Sequence, residues 1–306
     1  GNMHTLYHFA TDYQRETFLK PLLEGTARSC FSMTEPEVAG SDPTLIQTTA
    51  VQDGDDWVIN GHKWFTSGAK GADFAIVIAK TDPDASVAQA RNSAFIVPLD
   101  SPGFEIVRDV ETMGGKHNHP EVRYNDVRVP KENLLGERGG GHKLGQVRLG
   151  PARLAHCMRW LGQIEMALEM LIDRAQKRFA HGSLLSEKQS IQWMMSDSAM
   201  ELYSSKLMVL HAAYKIENGM EFKQEVSMAK HHVANTLWRV VDRAMQVHGA
   251  LGYSTDTPLA GMMQQARWAR LADGADEVHQ MRIAELLMKA YNSDGSINQG
   301  VGGLPL

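Results

Sequence analysis

Met33-Thr34-Glu35-Pro36-Glu37-Val38-Ala39-Gly40-Ser41-Asp42 follows directly on the apolar lead Cys30-Phe31-Ser32. Glu-Pro followed by Gly-Ser is turn chemistry, because proline presets φ and glycine tolerates conformations that other residues avoid. Taken alone the stretch is a polar loop. Its position makes it informative. Before it, residues 12–25 read as one helix, with Phe18, Leu19 and Leu22 on an apolar stripe and Gly25 as the stop. After it the pattern changes to short β-type runs between turns, up to about Pro130. Residues 46–51 and 57–59 flank Asp53-Gly54-Asp55, a hairpin signal. Ala75-Ile76-Val77-Ile78-Ala79 is a continuous apolar run, fit for a strand buried on both faces. Runs at 93–99, 104–110 and 122–129 follow. No helical period separates them, which predicts an antiparallel, barrel-like β domain and not a parallel sheet.

Beyond Gly136-Glu137-Arg138-Gly139-Gly140-Gly141 the period is helical. Leu154, Met158, Leu161, Ile164, Leu168 and Ile172 form a stripe at spacings of three and four. Further helices are predicted at about 187–218, 223–247, 259–271 and 276–291. In the third, Val226, Val233, Leu237, Val240, Ala244 and Val247 face inward. Long helices with short connections make a four-helix-type bundle. The whole is an α+β chain: a helical remnant at 1–28, a β domain at 29–138, a bundle at 139–292 and a Gly/Ser-rich tail at 293–306. The triple glycine lacks the Gly-Lys-Ser/Thr of a phosphate-binding loop and reads as a hinge.

With 306 residues, 43% of them hydrophobic, the chain can bury a core in two domains. A net charge of −5 without basic runs argues against nucleic acid as a partner. No apolar stretch is long enough to span a membrane. Cys30 and Cys157 fall in different domains and predict two free, buried thiols in a reducing compartment. The expected location is the cytoplasm in a bacterium, or the mitochondrion or peroxisome in a eukaryote. His117 and His119 lack partners at zinc spacing and read as a polar loop, so no metal site is expected. Gly1-Asn2 reads either as a tag scar before Met3 or as native sequence exposed by truncation.

Five segments together resemble the acyl-CoA dehydrogenase family over about residues 5–292. They are the opening loop; Asn60-Gly61-His62-Lys63-Trp64-Phe65-Thr66-Ser67-Gly68; Met113-Gly114-Gly115-Lys116 with Tyr124-Asn125-Asp126-Val127-Arg128-Val129-Pro130; Arg178-Phe179-Ala180-His181-Gly182 with Gln246-Val247-His248-Gly249-Ala250; and Ala272-Asp273-Gly274-Ala275-Asp276-Glu277-Val278-His279. The last resembles the family-member 10/11 branch. The resemblance implies FAD as cofactor, an acyl-CoA substrate, an electron-transferring flavoprotein as electron acceptor and a homodimer or homotetramer.

The resemblance also implies roles. Asp273 stands where the family has its catalytic glutamate and would take the α-proton. Arg153 would lie near flavin and base. Phe65 would take the aromatic place against the flavin ring, with Thr66 and Ser67 offering a backbone N–H and a hydroxyl near its N5 and O4. Phe31, Met33 and Thr34 would line the same cofactor. Arg178, His181 and Gln189, with Gln246, Gly249 and Ala250, would meet a partner subunit's cofactor. Ala275 and Glu277 would touch cofactor, and Ser41 and Gly274 substrate.

Several readings stay open. His181 replaces a Phe and Ala250 a Gly of the family pattern, and Asp273 is one methylene shorter than Glu. Asp273-Gly274 also reads as a plain turn, with Asp276 as N-cap of the last helix. The family begins with a helical domain, of which this chain matches only the last helix. An acyl-CoA oxidase, a flavin monooxygenase and a catalytically silent scaffold are the rival activities.

Overall fold

The computed structural model describes residues 1–297, the Asp294 side chain excepted. It divides into two compact units, Gly1–Leu149 and the chain from Gly150 onward.

The first unit opens with α1 (Asn2–Phe9), which the sequence pattern did not announce. Only Thr5 and Leu6 are buried in it, too few to print a stripe. The expected helix at 12–25 is present as α2 (Asp12–Gln14), a π-helical turn (Arg15–Leu19) and α3 (Lys20–Glu24). Thr11 and Gln14 start it with a reciprocal capping box, and Gly25 ends it at φ 74.

The strands are β1 (Ser29–Ser32), β2 (Thr49–Asp53), β3 (Asp56–Lys63), β4 (Phe74–Lys80), β5 (Asn92–Pro98), β6 (Phe104–Thr112), β7 (Gly115–Pro130) and β8 (Leu134–Leu135). They form one sheet in the order β6-β7-β3-β2-β4-β5-β8, with β1 also on β4. The sheet is mostly antiparallel, but β1 and β2 both run parallel to β4. It is an open sheet ending at β6 and β8, not a closed barrel. Alternation along β4 and β5 explains their continuous apolar runs. Ala75, Val77, Phe95 and Val97 join Trp57, Ile59 and Tyr124 in one core. Ile76, Ile78, Ala94 and Ile96 join Leu6, Phe18, Leu19 and Leu22 in the other.

The second unit holds most of α4 (Gly141–Lys177), then a short hairpin of β9 (Phe179–Ala180) and β10 (Ser183–Leu184). After it come α5 (Gln189–Glu217), α6 (Lys223–His248), α7 (Ala250–Tyr253), α8 (Leu259–Ala269) and α9 (Asp276–Asp294). The central α6 packs on α5, α8 and α9. All six of its expected inward residues are buried. On α4 the expected stripe needs one correction. Met158 is 60% exposed, and Cys157 and Trp160 are buried instead. The inward face of α4 runs Leu154, Cys157, Trp160, Ile164, Ala167, Leu171, a broader band than the single stripe read from the sequence. Both cysteines are free and buried. The tail expected at 293–306 lies outside the described residues from 298 onward.

The opening loop is tied down by one buried ion pair. Lys63 Nζ lies 2.9 Å from Glu35 Oε1, and both side chains are fully buried. Lys63 also donates to the Met33 carbonyl at 2.8 Å. Glu35 accepts from Gln47 N, Thr48 N and Thr48 Oγ1. Burial pushes Lys63 down to about 8, with Glu35 pulling the other way. Burial works to raise Glu35, but the charge of Lys63 and the donors from Thr48 and Gln47 hold it below the usual carboxylate range. Removing one partner strands a buried charge, a defect costing about 3–5 kcal/mol. Lys63→Met should lower unfolding stability by that amount in urea titration. A loss below about 1 kcal/mol, the range of an exposed pair, would contradict a buried one.

Candidate active site

Between α8 and α9 the chain makes a turn in which Asp273 (φ 53) and Gly274 (φ 108) are both left-handed. Such a conformation strains a residue with a Cβ and persists only where surroundings enforce it. Two cations do so. Arg153 Nε donates to the Asp273 carbonyl at 2.8 Å, and Lys230 Nζ to the Gly274 carbonyl at 2.6 Å. Lys230 has no solvent exposure. Burial pushes it down to about 8, opposed first by the charge of Asp276. Burial likewise lowers Arg153, opposed by Asp273. A Cβ on Gly274 would stand 2.8 Å from His279 Nε2, so no other residue fits.

His279 is 2% exposed. Burial first, then the charges of Lys230 and Arg153, push it down to about 4, while a hydrogen bond with the Asp273 backbone works against them. The Asp273 carboxylate, 22% exposed, lies 3.1 Å from His156 Nε2. It is a partly open group beside the buried Lys230 and His279, fit to accept a proton from a bound molecule.

Asp276 is not the N-cap of α9. Ala275 holds that position and has no side-chain cap. Asp276 is 3% exposed and accepts from Arg270 Nε at 2.7 Å and Asn235 Nδ2 at 3.0 Å. It braces the far side of the turn.

In the first unit, Phe65 (φ 47) is 40% exposed, and its ring meets Trp64 at 5.0 Å and His119 at 5.8 Å. Thr66 is buried, and its N–H donates to the Pro120 carbonyl at 3.0 Å. Its hydroxyl lies 3.3 Å from that of Ser32. The Thr66 N–H is therefore engaged within the fold. The Ser67 hydroxyl, 2.7 Å from His119 Nδ1, is the exposed polar group beside Phe65. His119 sits in β7, not in the polar loop expected, and burial lowers its pKa. Trp64 Nε1 is out of solvent without a partner among the described residues. An exposed aromatic face with a hydroxyl and an unmatched indole N–H beside it fits a flavin ring.

Phe31 carries the Arg148 guanidinium 4.2 Å above its ring. The Met33 and Thr34 carbonyls accept from Lys63 and from Trp64 N. Ser41 stands exposed on the loop. In the second unit Arg178 precedes β9, His181 lies in the β9–β10 turn, where Lys188 Nζ donates to its carbonyl at 3.0 Å, and Gln189 begins α5. Gln246, Gly249 and Ala250 lie at the α6–α7 junction, and Ala275 and Glu277 at the start of α9.

The structure thus joins Arg153 to Asp273, and Ser67 to Phe65. It adds Lys230, His156, His279 and His119, which sequence reasoning missed. The signals were present: Lys230 lies between the inward Val226 and Val233, and His156 is one turn beyond Arg153. Among the described residues no group of three or more metal-binding side chains occurs, and no helix is long and apolar enough to cross a membrane.

Family models match both units. The acyl-CoA dehydrogenase middle domain matches residues 30–127 and the C-terminal domain residues 139–288. A probable acyl-CoA dehydrogenase of Mycobacterium tuberculosis, FadE2, is 45% identical, covering 93% of this chain and 71% of that protein. Mouse acyl-CoA dehydrogenase family member 10 is 41% identical over 94% of this chain, which spans 28% of that longer protein. The butyryl-CoA dehydrogenase structure from Megasphaera elsdenii superposes with a TM-score of 0.84 at 33% identity, covering 91% of this chain and 73% of that one. Fold and matches define a flavin-dependent oxidoreductase. The chain belongs to the acyl-CoA dehydrogenase family.

The buried His279 makes stability depend on pH. Its folded pKa, about 4, lies below the ordinary 6.5, so the unfolded chain binds the proton first on acidification. Stability is unaffected above pH about 6.5 and falls progressively toward pH 4, by up to about 3 kcal/mol from this residue. In denaturant titrations across that window, His279→Gln should flatten the decline. An unchanged slope would contradict a neutral, buried His279.

Proposed function

We propose that this chain oxidises an acyl-CoA thioester to the trans-2-enoyl-CoA, with Asp273 as the base. The supporting observation is the Asp273 carboxylate, partly open to solvent on a turn whose two carbonyls are held by Arg153 and Lys230. The α-hydrogen of a thioester is weakly acidic, so its removal needs a carboxylate held in one place and screened from bulk water. When bound, FAD would supply the acceptor for the hydride leaving the β-carbon. The α-proton goes to Asp273, and the carbon pair becomes the double bond. The Gly274 backbone and Ser41 would contact the thioester and CoA.

Phe31, Met33, Thr34, Phe65, Thr66 and Ser67 would line the FAD, with Ser67 as hydroxyl donor. Arg178, His181 and Gln189, together with Gln246, Gly249 and Ala250, would meet a partner subunit's FAD in a homodimer or homotetramer. A guanidinium suits a diphosphate, which favours Arg178 for that contact. Ala275 and Glu277 would complete the cofactor site. An electron-transferring flavoprotein would take the electrons. A reducing compartment suits the two buried thiols.

The test is anaerobic titration of the FAD-reconstituted chain with a panel of acyl-CoAs, followed by visible absorbance. Bleaching of the flavin band is expected with at least one thioester. Asp273→Asn should slow it by about 10²–10⁴-fold, the usual contribution of a positioned base. Bound flavin that none of the thioesters bleaches would contradict the proposal, as would failure to bind flavin at all.

A further inference from the structure

Asp273 is held by more than its backbone. His156 Nε2 lies 3.1 Å from Asp273 Oδ2. The other ring nitrogen, Nδ1, lies 2.8 Å from Arg159 Nη2. A guanidinium offers only N–H groups, so Nδ1 must accept. The N–H of the ring is therefore on Nε2, facing the carboxylate. Two indoles fix the ring plane: Trp160 stacks on it at 5.5 Å, and Trp268 meets it edge-on at 5.3 Å. Arg153, His156, Arg159 and Trp160 all belong to α4, so one helix grips both the backbone and the side chain of Asp273.

We infer that His156 is a positioning residue for Asp273, anchoring its carboxylate through Nε2–H in the orientation that takes the α-proton. This rests on the reading of Asp273 as the base. The device answers a specific weakness. An aspartate on a strained turn has a short reach, and a carboxylate free to change rotamer would lose the alignment that proton abstraction needs. Arg153 and Lys230 fix where the Asp273 backbone is, and His156 fixes where its carboxylate points. Among the described residues, the charged or titratable groups near Asp273 include Arg153 and His156 from α4, Lys230 from α6 and His279 from α9. Arg270 and His231 face Asp276. His156 Nε2 is placed on an Asp273 side-chain oxygen.

The test compares His156→Leu, which removes the donor, with His156→Gln, which keeps an N–H at similar reach. Arg159→Leu is the third variant, leaving the ring in place but freeing Nδ1. The first readout needs no flavin and no substrate. Carbon-13 NMR of aspartate-labelled protein follows the Asp273 carboxyl, assigned by its absence in Asp273→Asn. Loss of a hydrogen bond to the ionised form should move its titration midpoint up by about one pH unit in His156→Leu, with His156→Gln near wild type. The second readout is steady-state kinetics of the FAD-loaded chain. In His156→Leu, kcat should fall about 100-fold with KM little changed, and His156→Gln should recover most of it. Arg159→Leu should fall between them. A wild-type carboxyl titration in His156→Leu would overturn the inference, and so would equal losses in the Leu and Gln variants. If no thioester is oxidised by any variant while the NMR shift occurs, the anchoring stands and the dehydrogenase reading fails.

Discussion

The turn at Asp273-Gly274 is the constraint around which the second unit is organised. Two successive residues in left-handed conformation do not persist unaided when one of them carries a side chain. The chain meets that strain by placing a buried lysine and a partly buried arginine on successive carbonyls. Each cation needs its own accommodation. Lys230 sits on α6 among apolar neighbours and faces Asp276. Asp276 is in turn held by Arg270 and Asn235. His279 packs under the glycine and stays neutral because it is buried and cations stand beside it. A polar network this deep is costly where a member lacks a partner, and His279 Nε2 has none among the described residues.

The first unit solves a parallel problem with the opposite economy of charge. A single buried pair, Glu35 with Lys63, fastens the polar loop to β3. The carboxylate satisfies two backbone N–H groups and a hydroxyl across the loop, and the ammonium takes the Met33 carbonyl. This rigid base leaves Phe65 exposed at positive φ, with Ser67 and His119 beside it. The two units therefore share a strategy: beside each strained, partly exposed group, Phe65 or Asp273, stands a buried lysine, Lys63 or Lys230.

Much of this was legible in the sequence, for reasons that differ by element. The inward face of α6 was readable because its apolar residues keep one period over the whole helix. On α4, steps of three and four compete, and the sequence stripe chose Met158 where the fold buries Cys157 and Trp160. Strand positions followed from apolar runs and turns. The open sheet and the parallel pairing of β1 and β2 with β4 did not, because strand order depends on distant partners that local patterning does not encode. Asp273 was singled out by resemblance alone. Asp276 looked like a cap because an aspartate at a helix start usually is one; its partners Asn235 and Arg270 are visible only in three dimensions. The same holds for His156, whose role depends on a carboxylate far along the chain.

The account turns on Asp273 removing a proton from the carbon next to a thioester. The most direct measurement is hydrogen exchange at that carbon. The FAD-loaded chain is incubated anaerobically in D₂O with an acyl-CoA that it binds, and deuterium at the α-position is followed by mass spectrometry. The account predicts deuterium uptake with the native chain and little or none with Asp273→Asn. Uptake at the native rate in Asp273→Asn would show that another group is the base and would contradict the account.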